Sequence, residues 1–256
     1  LEIIFIGTSS GKTSLKRFHS SFLINSKNFN LLVDAGDGVS KALKNQNITP
    51  NAFDGIIISH LHPDHYSGLA SLLVQMKLTG RSKALNIFTH KSVSAYVKEF
   101  ISHSYIFEER LGFNLSFVEF NFDKWINICS NLKILARQNT HLDKYRSLNS
   151  IEKLNLISCS FFFRLNKQNI LYTGDVGKTN DLYLFEDYKI NTIIAESTHI
   201  DKSGLLSVIR KLRPAKIYLT HISDEGEDSI LSWKSSLPDE IRSKIEIASD
   251  GLSFPL

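Results

Sequence analysis

Asp54-Gly55-Ile56-Ile57-Ile58-Ser59-His60-Leu61-His62-Pro63-Asp64-His65 is the stretch that decides how this chain is read. Ile56 to Ile58 form a short apolar run between Asp54-Gly55 and Pro63, the pattern of a fully buried strand. Directly after it, six residues carry three imidazoles and a carboxylate. The spacing predicts ligand-type side chains where a buried strand ends and a loop begins. That is a rigid base with room for an open coordination position. His-X-His alone is common and means little. Four such residues in six positions would be costly in a dry core and pointless on a wet face, whereas a divalent cation needs them.

Upstream, Glu2 to Ile6 reads as a strand, and Ser21 to Asn25 and Asn30 to Asp34 as two more joined by Ser26-Lys27-Asn28. Gly7-Thr8-Ser9-Ser10-Gly11-Lys12-Thr13 between them resembles a phosphate-binding loop but has three residues where that loop needs four. The next residues do not read as the helix it requires, so it is rejected as a nucleoside-triphosphate site. Lys12, Lys16 and Arg17 read either as a phosphate contact or as a solvated basic loop. Asp34-Ala35-Gly36-Asp37-Gly38 permits a tight turn into a helix over Val39 to Asn47. Downstream, Tyr66 to Lys77 has helical spacing, with Leu69, Leu72, Leu73 and Met76 on a core-facing stripe. Leu85 to Thr89 reads as a strand and Ser92 to Ile101 as a helix. His90 and His103 stand alone and read as ordinary side chains. The aromatic segment 100–125 reads either as a cover for a sheet or as a wall of a cleft. Leu132 to Arg137, Asn155 to Asn166, Gln168 to Thr173, Thr192 to Ala195 and Lys216 to Leu219 read as strands.

The chain has 256 residues, 42% hydrophobic and 22% charged, the balance of a globular protein able to bury a large core as one domain over 1–256. A net charge of +4 permits an anionic substrate without demanding nucleic acid. Cys129 and Cys159 sit in apolar surroundings and read as core thiols, which fits a cytoplasmic setting. No apolar run approaches membrane-spanning length, and no signal-peptide pattern opens the sequence.

His60-X-His62-X-Asp64-His65 also resembles the signature of the metallo-β-lactamase superfamily of hydrolases. The resemblance implies an α/β fold, a four-layer αββα sandwich with a metal site at one edge of two packed sheets. It also implies two divalent metal ions and three further ligands downstream, each at a strand end. His141 after Leu132 to Arg137, Asp175 in Tyr172-Thr173-Gly174-Asp175, and His221 after Lys216 to Leu219 match them in order. By that resemblance His60, His62 and His141 bind one metal, Asp64, His65 and His221 the second, and Asp175 bridges. Asp34 matches a turn under the metal site and is expected to orient a His ligand. Nitrogen and oxygen ligands without Cys suit Zn²⁺, and also Mn²⁺ or Fe²⁺.

Within the superfamily the chain looks most like ribonuclease Z and related phosphodiesterases. The stretches Phe5 to Gly11, Ser20-Ser21, Asp34 to Gly38, Ser59 to His62, Tyr172 to Asp175 and Leu219 to Ser223 carry this likeness. It implies cleavage of phosphodiesters by metal-bound hydroxide, with a phosphodiester substrate, RNA among the candidates, and catalytic roles for Asp64, Glu196 and His199. Glu196 matches the acidic residue of that family's His-Glu-Ala-Thr segment. His199, polarised by Glu196, is a candidate proton donor to the leaving group; on the residues alone it reads equally as a plain loop residue. Three features depart from the pattern, and one is Pro63, which replaces the small residue usual between the ligands. With 5 Pro and 13 Gly scattered along the sequence, no Gly- and Pro-rich RNA-gripping arm is visible. After His221 the sequence runs Asp224-Glu225-Gly226-Glu227-Asp228, acidic where the family has a phosphate-binding Arg. A small substrate (a cyclic nucleotide, another phosphodiester, a thioester or a lactone) therefore stays open, as do a non-catalytic binding module and a homodimer.

Overall fold

The computed structural model describes residues 1–149 and 153–256. Its strands are β1 (Glu2–Gly7), β2 (Ser21–Asn25), β3 (Leu31–Val33), β4 (Gly55–Ile57), β5 (Leu85–His90), β6 (Leu115–Phe120) and β7 (Trp125–Cys129). They continue as β8 (Leu132–Gln138), β9 (Cys159–Leu165), β10 (Gln168–Tyr172), β11 (Thr192–Glu196), β12 (Lys216–Thr220), β13 (Ile245–Ile247) and β14 (Ser253–Pro255). The helices are α1 (Val39–Asn45), α2 (Pro63–Tyr66), α3 (Gly68–Leu78), α4 (Lys91–His103), α5 (Lys202–Leu212), α6 (Asp224–Ser235) and α7 (Asp239–Arg242). The class is α/β, as expected. The chain divides into two compact units, residues 1–121 with 249–256, and residues 122–248.

The first unit holds one seven-stranded sheet in the order β14-β1-β2-β3-β4-β5-β6. Its first three pairings are antiparallel and its last three parallel. Leu32, Ile56 and Ile87 come from its central parallel strands, and α1 and α3 add Val39, Leu43, Leu69, Leu72, Leu73 and Met76 to the same core. Strands covered on both faces read as continuous apolar runs, which is why Ile56-Ile57-Ile58 is recognisable.

The second unit holds another seven-stranded sheet, in the order β7-β8-β9-β10-β11-β12-β13. It repeats the same pattern, three antiparallel pairings and then three parallel. Phe161, Phe162 and Phe163 on β9 are wholly buried. Phe162 stacks on Phe185 at 5.6 Å, and Val208, Ile209, Ile217 and Leu219 fill the rest of that core. The two sheets thus correspond strand for strand, β3 with β10, β4 with β11 and β5 with β12. In such sheets the carboxyl ends of parallel strands are where ligands bind.

Several expectations shift. The residues after His62 are not loop: Pro63 starts α2, because its fixed φ suits the first helical position. The helix expected over Tyr66 to Lys77 is split at Ser67 into α2 and α3. The strand expected from Asn155 begins at Cys159, the preceding residues being irregular. The aromatic segment supplies the edge strands β6 and β7 rather than only a cover. Cys159 is buried as expected, but Cys129 is half-buried because β7 is an edge strand; both are free thiols. His90 caps α4, its Nδ1 accepting from the Ser92 N–H at 3.3 Å. Residues 11–18 form no helix, in keeping with the rejected nucleotide loop. Among the described residues no helix is long and apolar enough to cross a membrane.

Candidate metal centre

The first unit builds one array at the ends of β3 and β4. Asp34 follows β3 at φ 60°, a left-handed conformation that Asp tolerates better than most residues. There its Oδ1 accepts from the Ser59 backbone N–H at 2.7 Å and its Oδ2 from the Ser59 hydroxyl at 2.8 Å. The same Oδ2 lies 2.8 Å from His65 Nδ1. A carboxylate on Nδ1 makes that nitrogen the donor and leaves Nε2 as the lone-pair nitrogen. Asp34 therefore orients His65, the part expected of it.

α2 brings Asp64 and His65 onto one helical turn, with Asp64 at the positive end. The Asp34–Gly38 turn lies directly beneath, the Ala35 N–H donating to the His65 carbonyl at 2.7 Å. This approach requires glycine. A Cβ on Gly36 would lie 2.2 Å from the Asp64 carbonyl oxygen, and one on Gly68 2.2 Å from that of Gly36. His60 meets His65 at 4.2 Å and His62 at 4.7 Å between ring centroids. His60 and His65 are buried and His62 is half-buried, so the array opens on its His62 side.

The second unit builds the other array at the ends of β8, β10, β11 and β12. Gly174 at φ 56° turns the chain after β10 so that Asp175 follows, buried. Oδ2 of Asp175 lies 3.6 Å from His141 Nε2 and 3.3 Å from His221 Nε2. His221 sits at φ 58°, a strained conformation for an imidazole residue, held by Thr198 Oγ1 donating to its carbonyl at 2.6 Å. At the end of β11, Glu196 is buried. Its Oε2 accepts from the Thr198 and His199 N–H groups at 2.6 and 2.8 Å, and its Oε1 lies 3.2 Å from His199 Nδ1. That bond raises the His199 pKa above its ordinary value against the opposing effect of burial, with the Glu196 and Asp175 charges adding to the rise. The His199 ring meets those of His141 and His221 at 4.9 and 5.8 Å.

Sequence reasoning missed Asp181. It is buried, and its Oδ2 accepts from Thr140 N and Oγ1, Gly177 N and Lys178 N at 3.1, 2.8, 2.9 and 3.2 Å. One carboxylate oxygen thus ties the loop carrying His141 to the loop carrying Asp175. Within Thr179-Asn180-Asp181 it reads as an ordinary polar turn, and no local pattern distinguishes it.

The donors fit divalent ions. Ligands about 2.0–2.2 Å from a tetrahedral ion are separated by roughly 3.3–3.6 Å along each edge. The pairs Asp64–His65 at 3.5 Å, Asp175–His141 at 3.6 Å and Asp175–His221 at 3.3 Å fall on or near that length, and the first two are long for hydrogen bonds. One oxygen of Asp175 stands at such an edge with both imidazoles.

A family model described as anti-Pycsar protein Apyc1 matches residues 1–236. The chain belongs to the Apyc1 family. Among curated proteins, this Apyc1-family chain is 33% identical over 120 residues to ribonuclease Z of Aeropyrum pernix, covering 46% of the chain and 38% of that protein. It is 32% identical over 141 residues to ribonuclease Z of Prochlorococcus marinus strain MIT 9215, covering 54% and 43%. The chain thus spans less than half the length of these curated relatives. Among solved structures it resembles human tRNase Z, short form, with a TM-score of 0.73 at 17% identity over 100% of this chain and 99% of that one. It also resembles the metallo-β-lactamase fold protein YhfI of Bacillus subtilis, with a TM-score of 0.74 at 18% identity over 99% and 98%. The Apyc1-family chain has the metallo-β-lactamase fold, and about half of it is similar in sequence to part of ribonuclease Z.

Proposed function

We propose that this protein is a metal-dependent hydrolase of phosphodiesters, one domain with a pair of bound divalent ions. His60, His62 and His141 would hold the first, Asp64, His65 and His221 the second, with Asp175 shared between them; Zn²⁺ is the proposed metal. The observation that carries this reading is the Asp175 carboxylate at ligand-edge distance from both His141 and His221. When bound, such ions would supply Lewis acidity toward a phosphodiester and lower the pKa of water. The chain's own residues do the rest. Asp34 fixes the His65 tautomer. Glu196 accepts from His199 Nδ1–H, which aligns the ring and stabilises its protonated form, so that Nε2 carries a proton for the departing alkoxide. Asp64 is proposed to serve both as ligand and as a local negative charge that orients the attacking water.

A small phosphodiester, such as a cyclic nucleotide, is the second reading of the substrate. The first turn of α6, just after His221, carries Asp224, Glu225 and Glu227. Three carboxylates there oppose a long polyanion and leave a compact monoanion little affected. The family description extends the proposal to antagonism of Pycsar. Two free thiols fit a cytoplasmic setting, and a homodimer is proposed with it.

The test incubates zinc-loaded protein with a chromogenic phosphodiester, a cyclic nucleotide and a tRNA precursor bearing a 3′ trailer. Hydrolysis that chelator abolishes and zinc restores supports the reading, and the preferred substrate identifies its class. A metal-replete protein inert on all three contradicts it.

A further inference from the structure

We propose that Glu196, His199 and His221 form a third, weaker site for a divalent cation, filled only when the metal is in excess, and that its occupancy inhibits the hydrolysis proposed above. The inhibitory part rests on the proton-donor role proposed for His199; the binding part does not.

Glu196 Oε1 and His199 Nδ1 are 3.2 Å apart. That distance suits a hydrogen bond, and it equally suits the edge of a tetrahedral ion with ligands about 2.0–2.2 Å away. One proton or one cation therefore fits between the same two atoms. The carboxylate is prepared for either. It is 1% exposed, and Oε2 is occupied by the Thr198 and His199 N–H groups, which fixes the plane and aims Oε1 at the ring. His221 supplies the third donor: ligand atoms of all three residues lie within 4.8 Å of one another. The His199 side chain is 32% exposed, so an ion and its remaining waters reach the pair from solvent.

The site is weaker than the main arrays for a structural reason. His221 Nε2 faces Asp175 and its Nδ1 lies 3.3 Å from Thr198 Oγ1, so His221 joins a third ion only by leaving one of these contacts. Binding replaces the Nδ1 proton of His199, which leaves to solvent, and the nitrogen lone pair goes to the cation; His221 joins through Nδ1 only when its own Nδ1 proton also leaves to solvent. The ring so held keeps its Nε2 proton but is no longer an imidazolium, and as a neutral imidazole on the ion it gives that proton to the leaving alkoxide far less readily.

Equilibrium dialysis against rising free Zn²⁺, with elemental analysis of the protein, tests this on the wild type, Glu196→Gln and His199→Ala. The wild type should reach a plateau of two ions and take up one more at higher zinc. Gln keeps an acceptor for the two N–H groups and is a poor ligand, so Glu196→Gln should keep the plateau and shift the later step by more than about tenfold. His199→Ala, at a partly exposed position, should do the same. Diester turnover of the wild type should fall in step with the third equivalent. Absence of the later step, its persistence unchanged in both variants, or turnover indifferent to it would overturn the proposal. A plateau other than two counts against the two-ion reading instead, and the difference between wild type and variants remains readable.

Discussion

Asp34 and Asp181 each use one buried carboxylate to position other groups, and their consequences differ. Asp34→Asn should keep the backbone, since Asn also tolerates φ near 60°. Its single carbonyl oxygen cannot accept from the two Ser59 donors and His65 together. Metal affinity should fall by about 10- to 100-fold, as for other partners of metal-bound imidazoles, read by competition with a chromophoric chelator. Wild-type affinity in this variant would contradict the role. Asp181→Ala leaves four donors without their acceptor and should cost at least about 2 kcal/mol in chemical denaturation. A change within a few tenths would show that those loops hold themselves. The contrast also marks what the sequence reveals. His60 to His65 announce themselves because four ligand types crowd six positions. His141, Asp175 and His221 each stand alone in sequence, and their reading as ligands needs the order supplied by resemblance. Asp181 acts through backbone donors brought together only by folding, so no spacing encodes it.

Elements are legible where burial is heavy and illegible where it is light. β4 and β9 are apolar runs because both faces are covered. α6 buries only Ile230 of its twelve residues and opens on an acidic turn, so no apolar stripe marks it as a helix in the sequence. Its cap nevertheless defines it, the Ser223 hydroxyl accepting from the Gly226 N–H at 3.1 Å. α5 starts likewise at Asp201, which accepts from the Gly204 N–H at 2.6 Å. Asp201→Ala should cost about 1 kcal/mol of stability, and an unchanged denaturation midpoint would remove the cap from the account. β8 carries a pH-dependent tie. Its Arg137 grips Asp187 through two bonds, at 2.6 and 3.0 Å, and lies over the rings of Phe185 and Tyr188. The bond to Arg137 holds the Asp187 carboxyl below its ordinary range. A carboxylate depressed in the folded state contributes stability that is present above the unfolded pKa and lost as pH falls through the lower, folded value. Asp187 is half exposed, so screening limits the contribution to roughly 0.5–1 kcal/mol. Asp187→Asn should lower stability at neutral pH and converge with the wild type only once the pH has fallen below the depressed Asp187 pKa. Parallel stability curves for the two proteins across the acid limb would contradict this.

At the scale of the whole molecule, each unit repeats one plan, three antiparallel pairings followed by three parallel ones, and apart from His141 after the antiparallel β8 the candidate site residues lie at the carboxyl ends of the parallel strands. Asp34 after β3 corresponds to Asp175 after β10, and the His60 cluster after β4 to Glu196 and His199 after β11. The fold is legible because the His60 cluster resembles a known signature. The repeat is not, since the two halves share pairing geometry and not residues, and strand pairing is settled by contacts remote in sequence. The central proposal for the molecule is that Asp175 is a metal ligand on which hydrolysis depends. The most direct measurement is the turnover of a chromogenic phosphodiester by zinc-reconstituted wild type and Asp175→Ala. The account predicts hydrolysis by the wild type and a loss of at least about a hundredfold in a variant that still folds. Equal turnover in both, or none in a wild type holding its full metal complement, would contradict it.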